Sequence, residues 1–243
     1  MSNRAWPVRA LLALVALLVL ASAAGAQGGE GRKYAPGPFD ALLITGTATF
    51  KLVQGSEDSV FVAGDEDAQG AVRLDVDDGV LRVHPSGAWK FWRSREAQIT
   101  ITARDLKRLE ISGAADVVAA GPLRLKQLQV RISGAGSVRF DRLKADKLDF
   151  SIAGVGSAQV AGSTDELHVR IAGRGAYLGE NLASQWATLS VSGAGDVKVW
   201  ATKELTASVS GVANVDFWGS ATVKRSSSGI TNWNDRGDKR AAP

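Results

Sequence analysis

Apolar and polar residues alternate along most of this chain, and the alternation is phased by one short motif. The copies are Ile111-Ser-Gly-Ala-Ala-Asp-Val117, Ile132-Ser-Gly-Ala-Gly-Ser-Val138, Ile152-Ala-Gly-Val-Gly-Ser-Ala158, Ile171-Ala-Gly-Arg-Gly-Ala-Tyr177, Val191-Ser-Gly-Ala-Gly-Asp-Val197 and Val209-Ser-Gly-Val-Ala-Asn-Val215. Their first glycines are 18 to 21 residues apart, and Ser228-Gly229-Ile230 begins a weaker seventh copy. Two residues before the glycine stand Ile111, Ile132, Ile152, Ile171, Val191 and Val209; four after it stand Val117, Val138, Ala158, Tyr177, Val197 and Val215. The columns between are mostly polar, as in Glu110, Arg131, Ser151, Arg170, Ser190 and Ser208. Period-two alternation predicts half-buried strands. A fixed period near twenty predicts a stacked repeat.

Each repeat reads as a strand, a glycine corner, a second strand and a connection to the next copy. The glycines suit a tight corner that needs positive φ. Parallel stacking at ~4.8 Å would place like aliphatics in ladders. The expected fold is all-β: a single-stranded, right-handed parallel β-helix (β-solenoid) of about seven coils. A leucine-rich repeat shares the period and the recurring Leu128, Leu148 and Leu167, but its L-x-x-L-x-L frame is missing. A calcium-binding nonapeptide repeat needs a period of nine, which the chain lacks.

Outside the repeats the pattern changes. Residues 39–106 carry strand-like runs at Ala41–Val53, Ser59–Ala63, Ala71–Val76 and Gln98–Thr102, and Asp77-Asp78-Gly79 predicts a hairpin. This region is expected to be continuous with the solenoid (107–233) and to cap its first coil. At the other end Trp233 replaces a valine, as a closing cap would require. Residues 27–38 and 234–243 read as a disordered leader and tail.

Arg4 and Arg9, the apolar run Leu11–Leu20 and Ala24-Gly25-Ala26 read as a secretory signal peptide over 1–26. No cysteine follows, which excludes a lipid-modified N-terminal cysteine, and no other run is apolar enough to span a membrane. The formal charge of +4 falls to +2 without Arg4 and Arg9, so the basic balance is no nucleic-acid footprint.

A secreted chain with repeated Ile/Val-Ser-Gly-x-Gly-x-Val resembles the bacterial family called putative auto-transporter adhesin, head GIN domain. Phe39-Asp40 and Ile44-Thr45-Gly46 resemble that family's opening, and the likeness runs from about Phe39 to Trp233. The resemblance implies a β-helix with an envelope or surface location, and it implies no catalytic residues.

Candidate chemistry is sparse. The column Asp116, Ser137, Ser157, Ala176, Asp196, Asn214 and Asn232 suits side chains that bond backbone groups at a corner. Asp116 and Asp196 would lie roughly 19 Å apart at β spacing, too far for paired-carboxylate hydrolysis. His168 falls in an outward column beside Asp149 and Thr188. Asp65-Glu66-Asp67 reads as an acidic loop. No cofactor or transition-metal site is implied. The candidate ligand-binding residues are Trp200 and Trp218, which share one column on successive coils, Trp89, Trp92 and Arg93 in an aromatic–cationic segment, and Arg174 alone on a glycine corner. Tyr177 also breaks its column. The expected role is a non-enzymatic exported binding or scaffolding module directed at a polysaccharide or another envelope component. The alternative is a carbohydrate-active β-helix, resembling a polysaccharide lyase, with an unrecognised site.

Overall fold

The computed structural model describes residues 31–86 and 98–239. The N-terminal elements are β1 (Gly31–Tyr34), β2 (Ala41–Ile44), β3 (Thr49–Gln54), β4 (Ser59–Ala63), helix α1 (Glu66–Gly70), β5 (Val72–Asp77), β6 (Val80–Pro85), β7 (Gln98–Ala103) and β8 (Arg108–Ile111). The long coils follow as β9 (Asp116–Ile132), β10 (Ala135–Ile152), β11 (Val155–Ile171), β12 (Arg174–Val191) and β13 (Ala194–Val209). The last turn is shorter: β14 (Val212–Trp218), β15 (Thr222–Ser227) and β16 (Ile230–Asp235).

β9 to β13 pair in parallel, each with the next, in register along the arms and with register shifts between the first arm and the third. The result is a β-solenoid of about six turns, close to the seven expected. Ile111, Ile132, Ile152, Ile171, Val191 and Val209 are all buried, as are Val117, Val138, Ala158, Tyr177, Val197 and Val215. Removing these ladders from water is the main term holding the stack together.

Each coil has three arms where the alternation suggested two. In β9 the buried residues are Val117 and Ala119, then Leu123 and Leu125, then Leu128, Val130 and Ile132. The phase slips at Ala120–Pro122 and again at Lys126–Gln127, and each slip turns the chain. Period-two counting loses register at such slips, so the short middle arm was invisible to it.

The corner glycines also have a different physical reason from the one expected. Gly113, Gly134, Gly154, Gly173, Gly193 and Gly211 do not adopt positive φ. A Cβ on any of them would instead lie 2.0–2.1 Å from the carbonyl oxygen of the corner glycine one coil earlier. Backbone packs directly on backbone, and only a residue without a side chain fits. At the second glycine of the motif, Ala115 and Ala213 are accommodated with 2–3% exposure. That explains why the first glycine never varies between copies and the second does.

The N-terminal region extends the same ladders in a different chain order. β2 pairs in parallel with both β6 and β8, so Val83, Ile44 and Ile111 stack in that order. β3 likewise lies between β7 and β9. The chain therefore lays one layer, adds a second outside it, then returns to begin the repeats. β4 pairs antiparallel with β7, and β5 with β6 through a two-residue turn at Asp78 and Gly79. Positive φ at both turn residues (48° and 73°) is what this tight hairpin needs. Asp65 caps α1, accepting a bond from the Ala68 amide at 3.0 Å, so the acidic run opens a helix where a loop was expected.

Described residues within both end segments, read as disordered from the sequence, form structure. β1 pairs antiparallel with β4, within the segment read as leader. Past Trp233, the Arg236 amide donates to Phe217 O (2.9 Å) and the Gly219 amide to Gly237 O (3.0 Å). Residues Asp235–Lys239 thus run along the last coils. Backbone pairing of this kind leaves no trace in local composition.

Candidate functional site

The third arms of successive coils form a flat parallel face. Its inward residues are ladder positions such as Leu167, Ala187 and Leu205. Outward, one column reads Lys147, Glu166, Trp186 and Glu204, and the next reads Asp149, His168, Thr188 and Thr206. Trp186 is 45% exposed, the only aromatic among the large exposed hydrophobic residues of the described chain. Lys203 Nζ lies 4.4 Å from the centre of its ring, a cation–π contact. The flanking acids are held by lysines: Glu166 by Lys147 at 3.8 Å and Glu204 by Lys224 at 3.1 Å. Hydrogen bonds from Lys224 and Thr206, with the Lys224 charge, hold the Glu204 carboxyl below the usual range. Glu204 is therefore ionised at neutral pH and ill suited to donate a proton. His168 Nδ1 lies 3.4 Å from Asp149 on the preceding coil, as its column implied. The arrangement offers a stacking surface, hydroxyls and paired charges.

Trp186 was missed in the sequence reading, although the signal was present. It stands seven residues before Gly193, in the outward column that holds Gln127, Lys147, Glu166 and Glu204 in the other coils.

The residues singled out from the sequence fall elsewhere. Trp200 and Trp218 do pair in register across β13 and β14. Trp200 is only 5% exposed, however, and Trp218 is partly buried. Lys239 Nζ covers both rings, 5.6 Å and 5.5 Å from their centres, and donates to Glu180 O (2.6 Å) and Asn181 Oδ1 (2.8 Å). The tryptophans thus form a shelf occupied by the chain's own C-terminal segment. Tyr177 is a core residue: it is fully buried, its ring centre lies 5.5 Å from that of Phe150, and a side chain on Gly179 would collide with it. Burial keeps its phenol neutral. Trp89, Trp92 and Arg93 lie outside the described residues.

Arg174 sits on the corner between the third and first arms. Its column runs Ala135, Val155, Arg174, Ala194, Val212 and Ile230, all exposed. The neighbouring polar column bonds to itself between coils, where bonds to backbone were expected. Ser137 donates to Asp116, Asn214 to Asp196 (2.8 Å) and Asn232 to Asn214 (2.9 Å).

At the N-terminal end a hollow of about 530 Å³ is lined by charged groups including Asp40, Asp78, Lys107, Lys147 and Asp149. Lys107 bonds Asp40 at 2.8 Å, which raises the lysine pKa. Among the described residues no group of three or more His, Cys, Asp or Glu is arranged to hold a metal ion.

Parallel coils stacked through backbone-packed glycine corners define a β-solenoid. The family described as "Putative auto-transporter adhesin, head GIN domain" matches residues 38–221, and the chain belongs to it. Its fold is shared by a solved "putative adhesin" from Bacteroides fragilis, 22% identical, with a TM-score of 0.77 over 86% of this chain and 97% of that one. A "putative lipid binding protein" from Parabacteroides distasonis, 19% identical, has a TM-score of 0.67 over 88% and 98%. A "putative adhesin" from Parabacteroides merdae, 21% identical, has a TM-score of 0.62 over 88% and 98%. No curated protein matches the chain. No helix among the described residues is long and apolar enough to cross a membrane.

Proposed function

We propose that this protein is a non-enzymatic binding module, exported through its N-terminal signal peptide, that holds a polysaccharide or related envelope glycan on its flat third-arm face. The observation that carries the reading is Trp186, an exposed indole set among hydroxyls and paired charges on a regular surface. An indole stacks on the apolar face of a sugar ring, while neighbouring Thr188, Thr206 and His168 can bond its hydroxyls. A parallel face repeating at ~4.8 Å suits an extended ligand. Family membership and neighbours named as adhesins support an adhesin-like role. Lysine-bound acids argue against hydrolysis at this face.

Binding to purified envelope polysaccharides and peptidoglycan tests the proposal. Wild-type protein should be retained, and Trp186→Ala should weaken binding about tenfold, the order expected for one stacking contact. Trp186 is exposed, so the variant should fold normally. Equal retention of the variant would remove the site from this face. Failure of wild type on every glycan would remove the glycan reading.

A further inference from the structure

Four large hydrophobic residues are prominently exposed among the described residues, and three share one column. Val155 is 62% exposed, Val212 57% and Ile230 72%. They stand on the convex corner of the solenoid, with Ala135 and Ala194 in the same column and Arg174 between them. From Val155 to Ile230 is four coils, roughly 19 Å at β spacing. Scattered exposed apolar residues are ordinary, whereas an aligned set is a surface. No packing need inside the solenoid accounts for them, because this column points outward in every coil.

Arg174 is the only charged residue of the column, and no carboxylate among the described residues pairs with it. Two other cations near this end are engaged: Lys198 lies 3.9 Å from Glu180 and Arg236 lies 3.0 Å from Asp216. Beside Arg174 a shallow depression of about 430 Å³ has a floor of Gly156, Gly175 and Gly195, with Asp196 and Asn214 at its rim. The surface therefore combines a narrow apolar edge, a free guanidinium and a hollow that side chains do not fill.

We infer that this corner ridge is a lipid-contacting edge, with Val155, Val212 and Ile230 entering the headgroup–acyl boundary and Arg174 binding a lipid phosphate. Interfacial binding needs apolar area to a depth of several Å together with a cation for anionic headgroups. A guanidinium matches phosphate geometry and loses little hydration on leaving water. Trp186 lies eight residues before Ala194, across the corner that opens the next coil and at most roughly 26 Å away, so the ridge could rest on lipid while the face that carries Trp186 stays open. The inference takes from the proposed function only the envelope location and is independent of the glycan site.

Flotation with protein-free vesicles tests it, using phosphatidylcholine alone or mixed with phosphatidylglycerol. Wild-type protein should float with the mixed vesicles. The combined Val155→Thr, Val212→Thr, Ile230→Thr variant keeps strand propensity and should lose about nine-tenths of that binding. Arg174→Gln should lose the preference for anionic vesicles. Trp186→Ala should float as wild type does, which separates this edge from the glycan face. Absence of wild-type flotation, as would follow if a second copy of the chain covered the ridge, overturns the inference. So does unchanged binding by the threonine variant or unchanged lipid preference in Arg174→Gln.

Discussion

Ile44 and Ile152 occupy equivalent rungs of one ladder, yet the chain reaches them by different routes. In the repeats each coil rests on the one just completed, and backbone stacks on backbone at the glycine corners. In the N-terminal region the layers are laid out of sequence order and fastened by long-range side-chain bonds. Lys107 bonds Asp40 across 67 residues, and Arg104 bonds Asp58 across 46. Gln54 Nε2 donates to Arg104 O and Arg124 O, and Gln54 Oε1 accepts from the Arg124 amide. Closing long loops costs entropy, modestly but without help from a repeating register. Specific polar contacts define the register there, where repetition defines it elsewhere.

The largest expected effect breaks the repeat side of this contrast. Gly154→Ala would place a methyl carbon 2.1 Å from Gly134 O, a backbone atom with no room to move. It should cost about 3 kcal/mol or more in urea unfolding. Gly195→Ala sharpens the point. Its Cβ would meet Gly175 O at 2.9 Å, and alanine already stands at this motif position in two copies, so the loss should stay near 1 kcal/mol.

Asp58→Asn tests the N-terminal side. Burial opposes charge on Asp58, whose side chain is 4% exposed, but hydrogen bonds and charge from Arg104 outweigh it and hold the carboxyl below its usual range. A depressed carboxylate pKa stabilises the fold above the unfolded value, and that contribution disappears as pH falls through the folded value. The stability gap between wild type and variant should therefore be full at neutral pH and shrink below about pH 4. A gap that grows on acidification would contradict the assignment.

Two smaller changes probe the interior and the C-terminal segment. Tyr177 Oη is buried without a partner, so Tyr177→Phe should raise stability by about 1 kcal/mol, the cost of an unsatisfied hydroxyl. Lys239→Ala should cost less, about 0.5 kcal/mol. It should speed hydrogen exchange at the Gly219 and Arg236 amides while leaving the N-terminal layers unchanged.

Much of the solenoid was legible because burial on regular arms obeys a period of two. The columns led by Ile111 and Val117 predicted inside and outside correctly for every coil. Legibility failed at the corners. Trp200 pairs with Ala183 and Trp218 after a three-residue slip in register. Column counting places it outward, and it lies outside the core cluster that holds Val199 and Ala201; what the count does not show is Lys239 of the C-terminal segment covering its ring. Trp186 lies on a regular arm where counting holds, and its outward column was readable there.

By itself the sequence determined the repeat, the ladders and the glycine corners, since these depend on residues at most one coil apart and recur often enough to be read. Only the tertiary structure decided that β6 and β7 lie outside β2 and β3, that the C-terminal segment covers the Trp200–Trp218 shelf, and that Val155, Val212 and Ile230 form one exposed edge beside Arg174. Those outcomes depend on contacts between distant segments and on phase slips at corners, and neither carries a local signal in composition or period.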